Sequence, residues 1–290
     1  MKYCIGALAL IACGVMAQPG KPARTPWALD LHGVQFADGT MAQDGDYGDH
    51  HLGARLGYRT RLGPRWMVGA NISYDRRAFD FDAETLFGGT LPVWERRDKV
   101  GVGLNVIHLL DERWSLIVAP RLQWSATEDA SLSKGDSYGV LAGGLYTLNS
   151  DLQLGLGLSY LHDIKDTKAF PIILVKWQIN EKWKLDNPFE PGFSGGAGLE
   201  LSYRWNRHYE LAWGAAYRSD RFALADGVAE TAAPLAFLRW SYFPQTGWDL
   251  SVMAGYQFDG ELEWDGQKWG RRKQDIDGRL GFGVSFNFMF

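Results

Sequence analysis

The chain has 290 residues, of which 46% are hydrophobic and 22% are charged, and its formal net charge is −4. This composition excludes a disordered chain, and the slightly acidic balance excludes the basic surface by which proteins bind nucleic acid. The 13 tryptophans and 35 glycines are typical of a sheet-rich chain that carries aromatic side chains at a wet boundary.

The first residues have the composition of a secretory signal peptide. Lys2 supplies a positive charge, and residues 5–11 form a short apolar run. Small or modest side chains lead up to Ala17, which predicts cleavage after that residue. We therefore expect a signal peptide at residues 1–17 and one mature domain at residues 18–290.

Lipidation is the alternative fate of the N-terminus. Residues 10–13 resemble the site at which bacterial lipoproteins are cleaved, and lipidation would leave Cys13 at the mature N-terminus. Cleavage after Ala17 would instead remove both cysteines of the chain, and this excludes disulfides from the mature protein.

Apolar and polar residues alternate along almost the whole mature chain, which is the pattern of two-faced β-strands. No apolar run of about 20 residues follows the signal peptide, so a transmembrane helix is not expected. If the short strand at 183–189 and a neighbour do not form, the number of strands is twelve. Otherwise about fourteen are predicted, at residues 27–36, 52–62, 66–79, 97–110, 114–126, 137–148, 152–163, 169–179, 183–189, 196–205, 209–222, 234–243, 248–260 and 275–290.

The connections alternate between short turns and long polar loops. Every second connection of an up-and-down antiparallel sheet lies at the same end, so one end is tight and the other carries the loops. This order predicts a single all-β domain, without a linker. The long loops are predicted at residues 37–51, 80–96, 127–136, 164–168, 190–195, 223–233 and 261–274.

Large aromatic residues recur at the ends of the apolar faces. Tryptophan and tyrosine rings have an apolar body and a polar group, and they settle where lipid meets water. Their spacing along a strand fits an apolar band about 25 Å tall. The sequence therefore predicts a transmembrane β-barrel, and the residues expected at its membrane boundaries are Trp66, Trp114, Trp124, Trp183, Tyr209 and Trp248.

Many charged residues alternate with these apolar positions. A soluble barrel, which is the alternative architecture, would have to bury them in its core, and that is costly. The interior of a membrane barrel can hold water and ion pairs instead. The candidate interior residues are Arg55, Arg59, Asp75, Lys99, Arg121, Lys176, Glu200, Arg204, Arg218, Arg239, Asp249, Asp277 and Arg279.

The chain ends inside an alternating strand, with Phe286, Phe288 and Phe290 on one face. This ending is similar to the C-terminal signal by which the barrel-assembly machinery recognises outer-membrane barrels. Residues 198–224 resemble a widespread family of uncharacterised, porin-like outer-membrane β-barrel proteins. The resemblance implies a barrel in the outer membrane of a Gram-negative bacterium, with both termini periplasmic and with membrane lipid and the assembly machinery as partners.

The mixed charges favour a channel for small polar solutes. In the alternative, a closed structural or adhesion barrel, the same charges pair and fill the interior. A hydrolase is less favoured, because no histidine lies in a hydrolase motif of such barrels. Residues 44–51 contain acids and two histidines, but they are predicted to form a solvated external loop rather than a metal or catalytic site. No catalytic residue, metal ligand or cofactor is predicted.

Overall fold

The alternating segments form strands in the computed structural model, which describes residues 26–41, 45–187, 198–244, 247–266, 268 and 270–290. The predicted signal peptide lies outside the described residues. Among those residues, no helix is long and apolar enough to cross a membrane. A 3₁₀ turn occupies Leu132–Gly135. The strands are β1 (Trp27–Met41), β2 (Gly45–Arg61), β3 (Trp66–Phe81), β4 (Thr85–Leu86), β5 (Leu91–Pro92), β6 (Arg96–Leu109), β7 (Trp114–Thr127), β8 (Asp136–Thr147), β9 (Leu152–Asp163), β10 (Asp166–Gln178), β11 (Trp183–Asp186), β12 (Gly198–Arg204), β13 (Tyr209–Leu224), β14 (Gly227–Tyr242), β15 (Trp248–Gln257), β16 (Gly260–Gly266), β17 (Gly270–Ile276) and β18 (Arg279–Met289).

Fourteen of these strands close into one antiparallel ring. The order runs β1, β2, β3, β6 to β15 and β18, and each strand pairs with the next. The ring closes because β18 pairs with β1, from Gly281 opposite Phe36 to Met289 opposite Ala28. A closed ring leaves no exposed sheet edge. The prediction of a fourteen-stranded up-and-down barrel is confirmed, and the alternative of twelve strands is wrong.

The short turns share one local device. In four of them the first residue, Asp111, Asn149, Asn180 or Asn206, accepts hydrogen bonds from the backbone N–H groups two and three residues later. Such side-chain caps hold tight turns because they replace a backbone hydrogen bond. The hydrogen bonds that Asp111 accepts from these two N–H groups also lower the pKa of its carboxyl group. We call this end of the barrel the turn end and the opposite end the loop end.

At the loop end the strands are longer than the sequence predicted. The predicted loops at 37–51, 223–233 and 261–274 are wrong over most of their length, because strands continue through them. For example, β13 and β14 remain paired up to Leu224 opposite Gly227. These stretches lack a clean apolar face, so their alternation is weak, yet their backbones still gain hydrogen bonds from a paired neighbour.

The ring divides in two near the loop end. There β7 and β13, which lie on different sides of the fourteen-stranded ring, meet in a parallel pairing between Ala126 and Ala223. The Thr127 hydroxyl donates a hydrogen bond to the carbonyl of Ala223 at 3.4 Å. The hairpin β16–β17 pairs with β14 on one side and with β1 on the other. A second, narrower ring therefore lies above the wide one. The narrow ring is formed by β7, β6, β3, β2, β1, β17, β16, β14 and β13.

The narrow ring has a tightly packed apolar core, which we call the loop-end cap. Residues of the predicted loop at 80–96 contribute to this core, because the hairpin β4–β5 and Trp94 fold into it. Trp264 is 1% exposed and Phe222 is fully buried. The cap closes the narrow ring, and its buried members are Met41, Tyr47, Phe79, Leu86, Leu91, Trp94, Phe222, Leu224, Ala229, Leu262, Trp264 and Ile276.

Candidate functional site: the barrel interior

Directly below the cap, charged side chains reach across the interior. Asp220 on β13 forms ion pairs with three cations from the opposite wall. The Lys99 ammonium lies 3.0 Å from its carboxylate, the Arg77 guanidinium lies 3.4 Å away, and Arg97 is also bound. Since β13 is not a neighbour of β3 or β6 in the ring, these contacts tie opposite walls together.

A second carboxylate extends this network around the wall. Asp49 accepts a hydrogen bond from Arg77 Nε at 2.9 Å, and it also pairs with Arg279 and with His51. The carboxylate of Asp49 is fully buried. We call Asp49, Arg77, Arg97, Lys99, Asp220 and Arg279 the ion-pair layer.

The sequence did not identify most of this layer. Of its six members, only Lys99 and Arg279 were predicted. Residues 45–51 were predicted to lie in an external loop, but they belong to β2, and Asp49 and His51 are buried in the interior. On each strand every second residue faces the interior. Extending this alternation beyond the apolar stretch of each strand would have identified Arg77, Arg97 and Asp220 as interior residues.

The half of the interior nearer the turn end also carries charged side chains, but many of these are more exposed than those of the ion-pair layer. Arg239 binds Glu200 at 3.1 Å and Glu210 at 3.2 Å, and Glu210 also meets Arg204 at 3.5 Å. Other charged side chains here are half-buried. We call this region the turn-end vestibule, and its half-buried members include Arg59, Lys176, Lys184, Asp186, Arg204 and Asp249.

The predicted interior residues occupy three kinds of environment. Arg55 is buried and binds Asp30 at 3.0 Å, and Glu200, Arg239 and Arg279 are also buried. Asp277 is different, because it is exposed in the connection between β17 and β18. The remaining predicted residues are half-buried, namely Arg59, Asp75, Lys99, Arg121, Lys176, Arg204, Arg218 and Asp249.

One side of the interior carries an apolar surface. It lies on the inward faces of β7 to β10, where side chains from adjacent strands pack together. Ile107 and Ile172 pack against its edges. We call it the inner apolar wall, and its buried members are Ile117, Ala119, Leu141, Leu145, Leu161 and Leu174.

The outer face of the barrel carries rings of aromatic side chains. At the turn end, partners on adjacent strands stack or tilt against each other. Trp66 lies 3.9 Å from His108, and Trp114 lies 4.9 Å from Tyr146, measured between ring centroids. Both tryptophans are 45% exposed. All six predicted boundary residues occupy outward-facing positions of their strands: Trp66, Trp114, Trp124, Trp183, Tyr209 and Trp248.

The aromatic residues at the C-terminus complete the turn-end ring. Phe286 and Phe288 lie on β18, and the rings of Phe288 and Phe290 stack at 5.5 Å. The N–H of Phe290 donates a hydrogen bond to the carbonyl of Trp27 at 3.2 Å. The two ends of the described chain therefore meet at the turn end.

The described part of the chain contains no group of three or more His, Cys, Asp or Glu residues suited to a metal ion. Among the acids and histidines of residues 45–51, Asp49 and His51 instead bind arginines of the interior, since Asp49 holds Arg77 and Arg218 donates a hydrogen bond to His51 at 3.1 Å. The chemistry of this interior is that of ion pairs and apolar contacts.

Comparison with known proteins places these features in a family. The sequence model of a domain of unknown function, DUF6268, matches residues 65–225, which is more than half of the chain. No curated protein matches the sequence.

Solved outer-membrane barrels resemble the chain in three dimensions. The COG4313 outer membrane channel from Pseudomonas putida F1 aligns with a TM-score of 0.51 and 8% identity, over 94% of this chain and 100% of that one. The KdgM porin aligns with a TM-score of 0.40 and 10% identity, over 91% and 99%. The Pseudomonas putida toluene transporter TodX aligns with a TM-score of 0.42 and 12% identity, over 91% and 90%. The first of these similarities indicates a shared fold.

Proposed function

We propose, from the premise that the chain belongs to the DUF6268 family of unknown function, that it is an outer-membrane channel for small polar solutes. The observation that carries this proposal is the turn-end vestibule, in which charged side chains of both signs remain partly exposed inside a closed ring. Opposed charges lining a passage orient polar solutes. The proposed orientation has both termini in the periplasm, so the vestibule opens toward that compartment.

The loop end favours a second candidate, a closed structural or adhesion barrel. The ion-pair layer joins opposite walls, and the loop-end cap fills the ring above it. If the channel exists, this closure is its resting state. A channel requires the closure to open or a solute to leave below it, whereas a structural barrel requires neither.

Electrical recording separates the two candidates. We expect the mature protein in planar bilayers to show infrequent conductance steps, because the ion-pair layer closes the interior most of the time. Folding is checked first by electrophoresis with and without boiling, since a closed barrel migrates differently when folded. A folded, inserted barrel that gives no steps at any voltage and does not admit monosaccharides to liposomes would favour the structural barrel.

The C-terminal aromatic residue provides a test of the proposed assembly partner. We expect Phe290→Ala to reduce the amount of assembled, heat-modifiable barrel in cells several-fold, because the assembly machinery is proposed to recognise this terminus. Phe282→Ala is the matched control, since Phe282 is an outward, 58% exposed phenylalanine of the same strand. Equal losses in both variants would contradict recognition of the terminus. Equal refolding of the purified proteins in detergent would separate recognition from stability.

A further inference from the structure

Two arginines from separate strands converge inside the wide ring. Arg55 lies on β2 and Arg121 on β7, and β3 and β6 lie between them. On these two strands, Ser73 lies opposite Arg55 and Gly101 lies opposite Ser73. A Cβ atom on Gly101 would lie 2.9 Å from the Ser73 hydroxyl oxygen and 3.2 Å from Nη2 of Arg121. The Arg121 guanidinium therefore extends over β6 beside Ser73, within electrostatic range of Arg55.

The polar groups beside these arginines are only weakly engaged. The Ser73 hydroxyl donates to the carbonyl of Gly101 at 3.5 Å, and the Asn71 amide donates to the carbonyl of Gly103 at 3.4 Å. Both distances are longer than those of strong hydrogen bonds. Because residues 101 and 103 are glycines, the floor under these side chains is bare backbone, and their donors can turn toward a bound molecule.

Arg55 carries a buried donor that is not satisfied. Its side chain is 7% exposed, and its Nε donates to the Asp30 carboxylate at 3.0 Å. The other oxygen of Asp30 accepts a hydrogen bond from Asn287. Among the described residues, Nη1 of Arg55 has no hydrogen-bond partner, and a buried, unsatisfied charged donor is costly. Arg121 makes a further interaction, so it contributes the position of its charge rather than an unused donor.

The wall around the two arginines is cationic. On β2, β3, β6 and β7, the inward positions from the turn end to the level of Ser73 hold four arginines and no acid. The four are Arg55, Arg59, Arg61 and Arg121. The acids in this half of the interior lie on β1 and on the far wall, namely Asp30, Asp186, Glu200, Glu210 and Asp249. An anion on the β2–β7 wall is therefore attracted to that side.

The sign of this wall does not depend on the residues outside the described ranges. In the predicted mature chain, those residues carry four charges, at Lys21, Arg24, Asp44 and Glu190, and these charges sum to zero. Residues 188–197 contain one of them, Glu190. A single carboxylate is outnumbered by the four arginines of the wall, so the wall stays cationic wherever that carboxylate lies.

We propose that Arg55, Ser73 and Arg121 form a site that binds the carboxylate or phosphate group of a small anionic solute. Guanidinium groups bind such oxyanions through paired, charge-assisted hydrogen bonds. The inference rests on the proposed function, because it specifies the polar solute of the channel as an anion. Arg61 and Arg59, on the same face of β2, lead from the turn end toward the site.

Titration calorimetry tests the site directly. The folded mature barrel, in an uncharged detergent at low salt, is titrated with succinate, with inorganic phosphate and with succinamide, which has the shape of succinate but no charge. We expect both anions to bind saturably and succinamide not to bind. Arg55→Gln should weaken anion binding about ten-fold, the loss expected for one charge-assisted hydrogen bond.

Asp30→Asn distinguishes binding from a structural role. The Asp30 carboxylate competes with an anion for Arg55, and asparagine removes its charge while keeping its shape. Anion binding should therefore tighten several-fold, whereas a purely structural pair would lose stability with no gain in affinity. The control is Arg76→Gln, which should leave the affinity unchanged, because Arg76 lies on the outer face of β3, is 49% exposed and pairs with Asp98 at 2.9 Å.

A second variant decides the matter if Arg55→Gln does not fold. Gly101→Ala keeps every charge but places a methyl group against Ser73 and Arg121, so it should also weaken anion binding. The site is overturned if the folded parent binds neither anion saturably, or if succinamide binds as tightly as succinate. It is equally overturned if the folded Arg55→Gln or Gly101→Ala variant keeps the parent affinity.

The site and the channel fail in different ways. Saturable anion binding to a barrel that shows no conductance steps would support the site and reject the channel. Conductance steps in a barrel that binds neither anion, with no anion preference in the reversal potential across a potassium chloride gradient, would support the channel and reject the site.

Discussion

Replacing Asp220 with asparagine is expected to lower the free energy of unfolding by about 3–5 kcal/mol and to increase the conductance several-fold. Removing one charge from a buried ion pair leaves its partners uncompensated, which is the origin of that cost. Asp220 is the common acceptor for Arg77, Arg97 and Lys99. Asparagine preserves the size of the side chain, so the effect isolates the charge. Urea unfolding of the folded barrel in lipid, followed by tryptophan fluorescence, measures the stability, and planar bilayers measure the conductance.

The control for Asp220→Asn is Glu261→Gln. Glu261 pairs with Lys273, but both side chains are about half exposed, at 54% and 51%. Exposed pairs contribute at most about 1 kcal/mol, so this variant should retain the parent stability and conductance. If Asp220→Asn is as stable as Glu261→Gln, opposite walls are not held by the ion-pair layer. If Asp220→Asn is destabilised but its conductance in bilayers equals that of the parent protein, the ion-pair layer is structural and does not gate the interior.

Replacing Phe222 with alanine is expected to cost about 3–5 kcal/mol of unfolding free energy, the range for removing a buried phenylalanine ring. Phe222 is fully buried, and its ring lies 5.7 Å from that of Phe79 and 5.6 Å from that of Trp94. It precedes Ala223, where β13 meets β7. The variant should therefore loosen the narrow ring and expose the loop end to protease, which limited proteolysis in detergent measures alongside urea unfolding.

Leu132→Ala is the control for the cap. Leu132 lies in the 3₁₀ turn between β7 and β8 and is 39% exposed, so its replacement should change stability by less than about 0.5 kcal/mol. A cost for Phe222→Ala below about 1 kcal/mol, with the parent cleavage pattern, would contradict a packed cap. Cleavage confined to the loop end would show that the wide ring is stable on its own.

The charged inner face has different roles at the two ends of the barrel. In the sequence, charges of both signs at interior positions suggested a solute path along the barrel axis. In the structure, the charges nearest the loop end pair across the interior, as Arg97 does with Asp220, while those of the turn-end vestibule remain partly exposed. One charge pattern thus serves two purposes at different depths. Depth is set by strand register, which the pattern of charges does not encode.

The sequence by itself determined the parts of the fold that depend on local order. A period of two along each strand defines its two faces, and short turns after every second strand define an antiparallel ring. The aromatic positions, such as Trp66 and Trp114, follow from the same alternation, because each begins the outer face of a strand just after a turn. These features depend only on residues that are close together in the sequence. The sequence therefore predicted them together with the number of strands.

Only the tertiary structure decided how the interior is closed. Asp49 and Asp220 are distant in sequence, yet both bind Arg77 because ring closure brings β2, β3 and β13 to one level. Near the loop end, β7 meets β13 across the fourteen-stranded ring through the pairing of Ala126 with Ala223. Such contacts depend on the register and curvature of the whole ring, and register between strands arises from many weak pairings that no single segment contains.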